Sequence, residues 1–214
     1  MSRSTYSDSN ARRGRIPACV LPTEADLMLY RDLARQLGAP PNAHICRHAG
    51  PAANHLVFIN ESGPRDWKRV HDTAAARWPD LPKSGSVARD GTVLDSLPER
   101  IVYEMLAPRL KPRMALDLHQ PIRARDARHR ADFTLRCGAA RRFIEVVGCC
   151  GSDRITRNDD ERLWLARLDR RLAVYAAQGI VPVLMHLDLL AQPARLRALC
   201  DDLVRTIARE GGCS

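Results

Sequence analysis

A single carboxylate, Glu145, stands inside an otherwise apolar run, residues 143–148 (FIEVVG). A short run rich in β-branched and aromatic residues, closed by glycine, reads as a strand central enough to be covered on both faces. A charge in such a strand is costly unless it is paired or bound to a metal. A sheet covered on both faces requires helices, and the neighbouring sequence supplies them.

Residues 96–99 (SLPE) form a capping box with proline early in the helix, and Ile101, Val102, Met105 and Leu106 make the apolar stripe of a helix over 97–107. Strands are expected at 115–122 and 132–137, the latter ending at the turn signal Gly138. A long amphipathic helix is expected over 159–178, carrying Leu163, Leu165, Leu168, Leu172 and Tyr175 and stopped by Gly179. Residues 180–186 read as a fourth strand, and Pro182 assigns it to an edge or marks its start. A closing helix is expected over 193–209. The order helix, three strands, helix, strand, helix specifies an α/β arrangement around a mixed sheet.

Upstream the pattern is weaker. Residues 1–20 read as a flexible basic tail without the apolar core of a secretory signal. Thr23 and Asp26 open a helix with Leu27, Tyr30, Leu33, Ala34 and Leu37 at helical spacing before Gly38. Residues 55–60 (HLVFIN) read as a short strand, and 64–78 as a helix ended by Pro79. The stretch 79–95 is a loop or linker. The expected organisation is a tail (1–20), a small, mainly helical region (21–83) and an α/β core (84–214). The region 21–83 has no motif that decides between a nucleic-acid module, an extension packed on the core and a dimer contact.

The chain has 214 residues and a formal net charge of +9. That balance favours a polyanionic partner, and no apolar run is long enough to span a membrane. Seven cysteines without regular spacing or a secretion signal are read as free thiols of a reducing, cytoplasmic setting. His44, Cys46 and His48 are ligand-type residues, but no familiar frame completes four zinc ligands. Cys149 and Cys150 are not tied to them.

Glu99, Asp132 and Glu145 are the carboxylates that this arrangement brings together. Converging carboxylates raise one another's pKa, and a divalent cation relieves the repulsion. Oxygen donors suit Mg2+ or Mn2+, which can activate water for phosphodiester cleavage.

The residues from Asp132 (DFTL), the twelve between Asp132 and Glu145, and the FIEVVG strand resemble the PD-(D/E)XK nuclease core. The helix bearing Glu99 is similar to the superfamily helix that supplies an additional acid. The resemblance covers roughly residues 84–190. It implies a restriction-endonuclease-like fold (α-β-β-β-α-β), with Glu99, Asp132 and Glu145 as metal ligands and catalytic residues in Mg2+- or Mn2+-dependent cleavage of DNA, more rarely RNA. Ala131 replaces a frequent proline, and Val147 stands where a lysine usually follows the Glu. Some members carry the basic residue on the next helix, which here offers Arg167, Arg170 and Arg171. Arg171 is the candidate, able to stabilise a phosphate although a poor general base. The implied partner is DNA, in a homodimer or a larger nucleoprotein complex. A degenerate nuclease fold serving as a DNA-binding subunit is the alternative.

Arg128, Arg130, Arg141, Arg142 and Arg167 are the candidate nucleic-acid contacts among the arginines crowding this region, which include Arg123, Arg125 and Arg136. They form either a phosphate-tracking face or a solvated basic surface. His119 and His129 flank the Asp132 strand and could meet substrate. Trp67, Trp78 and Trp164 are expected to be core anchors, since an aromatic content of 5% disfavours an extended stacking groove.

Overall fold

In the computed structural model, the described residues are 19–123 and 126–212. The expected tail (apart from Cys19 and Val20), Arg125 and Cys213 lie outside them. Four helices come first: α1 (Glu24–Leu37), α2 (Ala43–His48), α3 (Asn54–Ser62) and α4 (Pro64–Arg77). The Thr23–Asp26 capping box that starts α1 is formed in both directions. Gly38 ends α1 at φ 70°, a left-handed conformation that glycine adopts without strain.

The strand expected at 55–60 is instead the body of α3. Its fully buried Leu56 and Ile59 are three residues apart, the helical interval, and they face α2 and α4. A four-residue apolar run, 56–59, is too short to separate the two periodicities, and packing against neighbouring helices decides it.

The second half holds α5 (Leu97–Leu106), β1 (Met114–Leu118), β2 (Pro121–Arg123), β3 (Asp126–Arg130), β4 (Phe133–Cys137), β5 (Ala140–Val147), α6 (Asp159–Ala176), β6 (Val183–His186), α7 (Leu187–Leu190) and α8 (Pro193–Glu210). The protein is mixed α/β, with a four-stranded mixed sheet in the order β1-β4-β5-β6. The first two pairings are antiparallel and β5–β6 is parallel. Pro182 sits just before β6, which is an edge strand, so the proline removes no ladder bond from a central position.

The strand expected at 115–122 is broken. Beyond β1 the chain turns at His119 (φ 51°) and continues as β2, paired only with β3. Backbone bonds from His119 N to Asp132 O (3.2 Å) and from Ala131 N to Gln120 O (2.9 Å) join this small hairpin to the β1–β4 pair. The result is one long two-stranded arm with its irregularity at Asp132.

Helices α5 and α8 cover one face of the sheet, against Phe133, Leu135, Ile144 and Val146. Helix α6 covers the other, where Leu168 meets Val147 and Tyr175 meets Phe143. The main core runs from Leu27 of α1 through Ile45, Leu56 and Ile101 to Ile207 of α8, so residues 21–83 share the core of the sheet. One polar clamp crosses that junction. Arg100, 3% exposed, donates from Nη1 to the carbonyls of Lys83 (2.6 Å) and Gly85 (2.9 Å), and from Nη2 to that of Gly38 (3.4 Å).

Cys19, Cys46, Cys149, Cys150 and Cys200 are free thiols. Cys137 is disulfide-bonded, which departs from the expectation that every cysteine is free. Among the described residues no helix is long and apolar enough to cross a membrane.

Candidate active site

The β4–β5 register places Phe133 opposite Ile144, and one step further along the same ladder sets Asp132 opposite Glu145. Side chains alternate across a strand. Glu145 therefore shares the α6 face with Phe143 and Val147, and Asp132 points to the same face just before β4 begins. Asp132 does not prolong the backbone ladder conventionally, because its Oδ2 accepts the Val146 N–H at 2.7 Å. The opposed carboxylates are the outcome expected from the sequence.

Arg171 reaches them from α6. Its Nη2 lies 3.1 Å from Glu145 Oε2, and its Nη1 lies 3.4 Å from Asp132 Oδ1. The Tyr175 hydroxyl donates to Glu145 Oε1 at 2.6 Å. Arg171 and Tyr175 are four residues apart, so they project from one side of α6 and grip Glu145 together. Glu145 is fully buried, as is Tyr175. Sequence reading used Tyr175 only as an apolar helix position; the hint lay in its spacing from Arg171.

Glu99 stands in the first turn of α5. Its Oε1 accepts the Ser96 hydroxyl at 2.8 Å, and its Oε2 accepts the Asp95 N–H at 3.2 Å. The capping role and a site role thus coexist in one side chain. The ligand-type atoms of Asp95, Glu99 and His119 all lie within 4.8 Å of one another, the one such group of three among the described residues. His119 comes there because the break between β1 and β2 sets it opposite Asp132. Asp95 was not singled out from the sequence; it directly precedes the Ser96 cap, and only the fold brings it to His119, 3.8 Å away.

Burial pushes the carboxyl of Glu99 up, with further repulsion from Asp132 and Asp95 working against the hydrogen bond from Ser96. Burial also raises Asp132, partly offset by Arg171 and the Val146 N–H. Glu145 is pushed up to about 7, first by burial and then by the Asp132 charge, against the pull of Arg171 and Tyr175. Burial and the adjoining carboxylate push the Tyr175 phenol up as well, so it stays a hydrogen-bond donor.

Folded Glu145 holds its proton more tightly than the unfolded chain, whose carboxyl titrates near its ordinary 4.5. Its contribution to stability is therefore complete below that value and is lost as pH rises toward 7. In metal-free buffer, urea unfolding between pH 5 and 7 should show stability falling by about 1 kcal/mol per pH unit from this group. The fall should be shallower in Glu145→Gln. Equal slopes in the two proteins would refute the assignment.

The candidate nucleic-acid residues separate into distinct places. Arg128 and Arg130 are exposed on β3 of the arm. Arg141 lies on the Glu145 face, with its guanidinium 5.3 Å from the Phe143 ring. Arg142 projects from the opposite face and pairs with Glu210 of α8, so it does not border the site. Arg167 is exposed on α6, 4.8 Å from the Trp164 ring, and does not touch the carboxylates. His129, on β3 of the arm, is half-buried.

His44, Cys46 and His48 do not bring their ligand atoms together; His44 instead lies 3.8 Å from Glu161. Trp67 packs edge-on to Tyr30, and the guanidiniums of Arg31 and Arg77 lie 5.0 and 4.8 Å from the Trp78 ring centre. Trp164 is not the anchor expected: it is 56% exposed on the outer flank of α6.

No family model matches this chain, and no curated protein or solved structure gives a significant match.

Proposed function

We propose that this chain is a metal-dependent nuclease of the PD-(D/E)XK type that cleaves phosphodiester bonds in DNA. The observation that carries the reading is the opposition of Asp132 and Glu145 on adjacent strands, bridged by Arg171 from α6. The donor set also suits a divalent cation. Two carboxylates and an imidazole within 4.8 Å match Mn2+ at least as well as Mg2+, because one donor is nitrogen. Asp95, Glu99 and His119 would hold the ion, with Asp132 beside them. Such an ion, when bound, supplies Lewis-acid activation of water and charge neutralisation at the phosphate.

The chain's own groups account for the rest. Val147 is buried, so no lysine serves at its position. Glu145, with its proton affinity raised to about 7, is matched to accept a proton near neutral pH. Tyr175 fixes its Oε1, leaving Oε2 toward Arg171. A phosphate arriving at Arg171 competes with Glu145 for the guanidinium, since Arg171 binds phosphate and carboxylate by the same fork. That exchange frees Oε2 as the substrate arrives.

The test is nicking or linearisation of supercoiled plasmid with Mn2+ or Mg2+. Metal-dependent cleavage should appear in the wild type and fall at least about 1,000-fold in Glu145→Ala, the scale of losing an essential acid–base group and its partner. A second reading, a non-catalytic DNA-binding subunit, draws on the Arg171 guanidinium occupying the place between the two carboxylates. Folded protein that binds DNA without cutting any plasmid, with either metal, would favour it.

A further inference from the structure

We infer that the outer flank of α6 is a binding track for an unpaired DNA strand, with Trp164 as a stacking platform for a base. The inference rests on the nucleic-acid reading above for its ligand class, but not on turnover. Trp164, Arg167 and Arg171 follow at i, i+3 and i+7, the spacing of one helical stripe. At 1.5 Å per residue the stripe runs about 10 Å along the helix. Its far end is Arg171, which holds Asp132 and Glu145.

The buried stripe of the same helix, Leu165, Leu168, Leu172 and Tyr175, faces the sheet, so Trp164 is not needed to seat α6. The indole is left 56% in water beside an exposed Arg167. The Arg167 guanidinium lies 4.8 Å from the ring centre, within cation–π range. This pairing presents an apolar face and a positive charge together, which is the chemistry of a nucleotide's base and phosphate. Arg170 adds charge on the exposed surface nearby, whereas Asp169 is neutralised by Arg154. Arg167 and Arg170 outweigh the exposed Asp160 one turn before the ring, so the complementarity is to an anion with flat rings. In an intact duplex the bases are stacked on each other and cannot meet the indole, so the ligand is a single strand, a flap or a frayed end.

The experiment measures binding of a fluorescein-labelled single-stranded oligonucleotide and its duplex by anisotropy, in chelator without metal, using the full chain. Trp164→Ala should weaken single-strand binding about tenfold, the scale of one lost base stack, and leave duplex binding within about twofold. Trp164→Phe should restore most of the affinity. Strand binding should quench tryptophan emission in the wild type and not in Trp164→Ala. Arg142→Ala, on the far face, should change neither affinity. Equal loss on both DNAs, no loss on either, or a shift from oligomer to monomer in light scattering with unchanged DNA binding would overturn the track. If plasmid cleavage is absent but the single-strand preference depends on Trp164, the nuclease reading fails and the track stands.

Discussion

Arg171→Met should destabilise the protein by about 3 kcal/mol at pH 8, the cost of removing one partner from a buried ion pair. Glu145 is fully buried and Asp132 nearly so, and Arg171 is the cation between them. Without it two carboxylates face each other in a poorly hydrated pocket. The guanidinium is itself 30% exposed, which holds the cost to the lower part of the range for such pairs. The loss should shrink near pH 5, where the raised carboxyl of Glu145 takes up a proton and the repulsion fades. Mn2+ or Mg2+ should recover part of it at pH 8 if a cation can take the vacated place. Urea midpoints of both proteins at the two pH values decide the matter. A difference below about 1 kcal/mol at pH 8 would mean that Arg171 does not hold the carboxylates in place.

Phe133→Ala should cost about 4 kcal/mol, the usual penalty for emptying a large aromatic site in a core that cannot collapse around it. Phe133 is fully buried and stands opposite Ile144, next to the rung that opposes Asp132 and Glu145. It belongs to the main core that α5 and α8 close, on the face away from Arg171. Phe133→Leu should cost roughly a third as much, since most of the volume remains. Chemical denaturation gives both values. A loss under about 1 kcal/mol for the alanine variant would show that the sheet does not depend on this layer.

The order of helices and strands after Ser96 was readable because each element carries its own boundary chemistry. The Ser96–Glu99 cap, the Gly138 turn and the Gly179 stop fall where α5, β4 and α6 begin or end, to within a few residues. Opposition of Asp132 and Glu145 was readable too, since a tight turn between two antiparallel strands fixes their register. The helix at 54–62 was not, because the four apolar residues 56–59 carry no resolvable period. Nor was the break at His119, whose positive φ leaves no mark in a histidine. Asp95 and His119 are 24 positions apart in sequence and meet through the loop and the arm, a tertiary fact. The exposure of Trp164 depends on which flank of α6 the sheet covers, and that is decided by Leu168 and Tyr175 settling on β5.

The Arg100 clamp sets terms for anyone who would cut this chain in two. A fragment starting at residue 84 keeps the guanidinium and the Gly85 carbonyl but forfeits those of Gly38 and Lys83. The cation, left with Gly85 and Glu104 as partners, would then sit in a wall that also lost the apolar cover of α1 and α3. A hybrid that grafts foreign helices onto this sheet inherits the same debt and must present carbonyls at that spot. The seam at 83/84, conspicuous in composition, is therefore a poor place for scissors and a good place to look for coupling between the helical cap and the carboxylates that follow Arg100 along the chain.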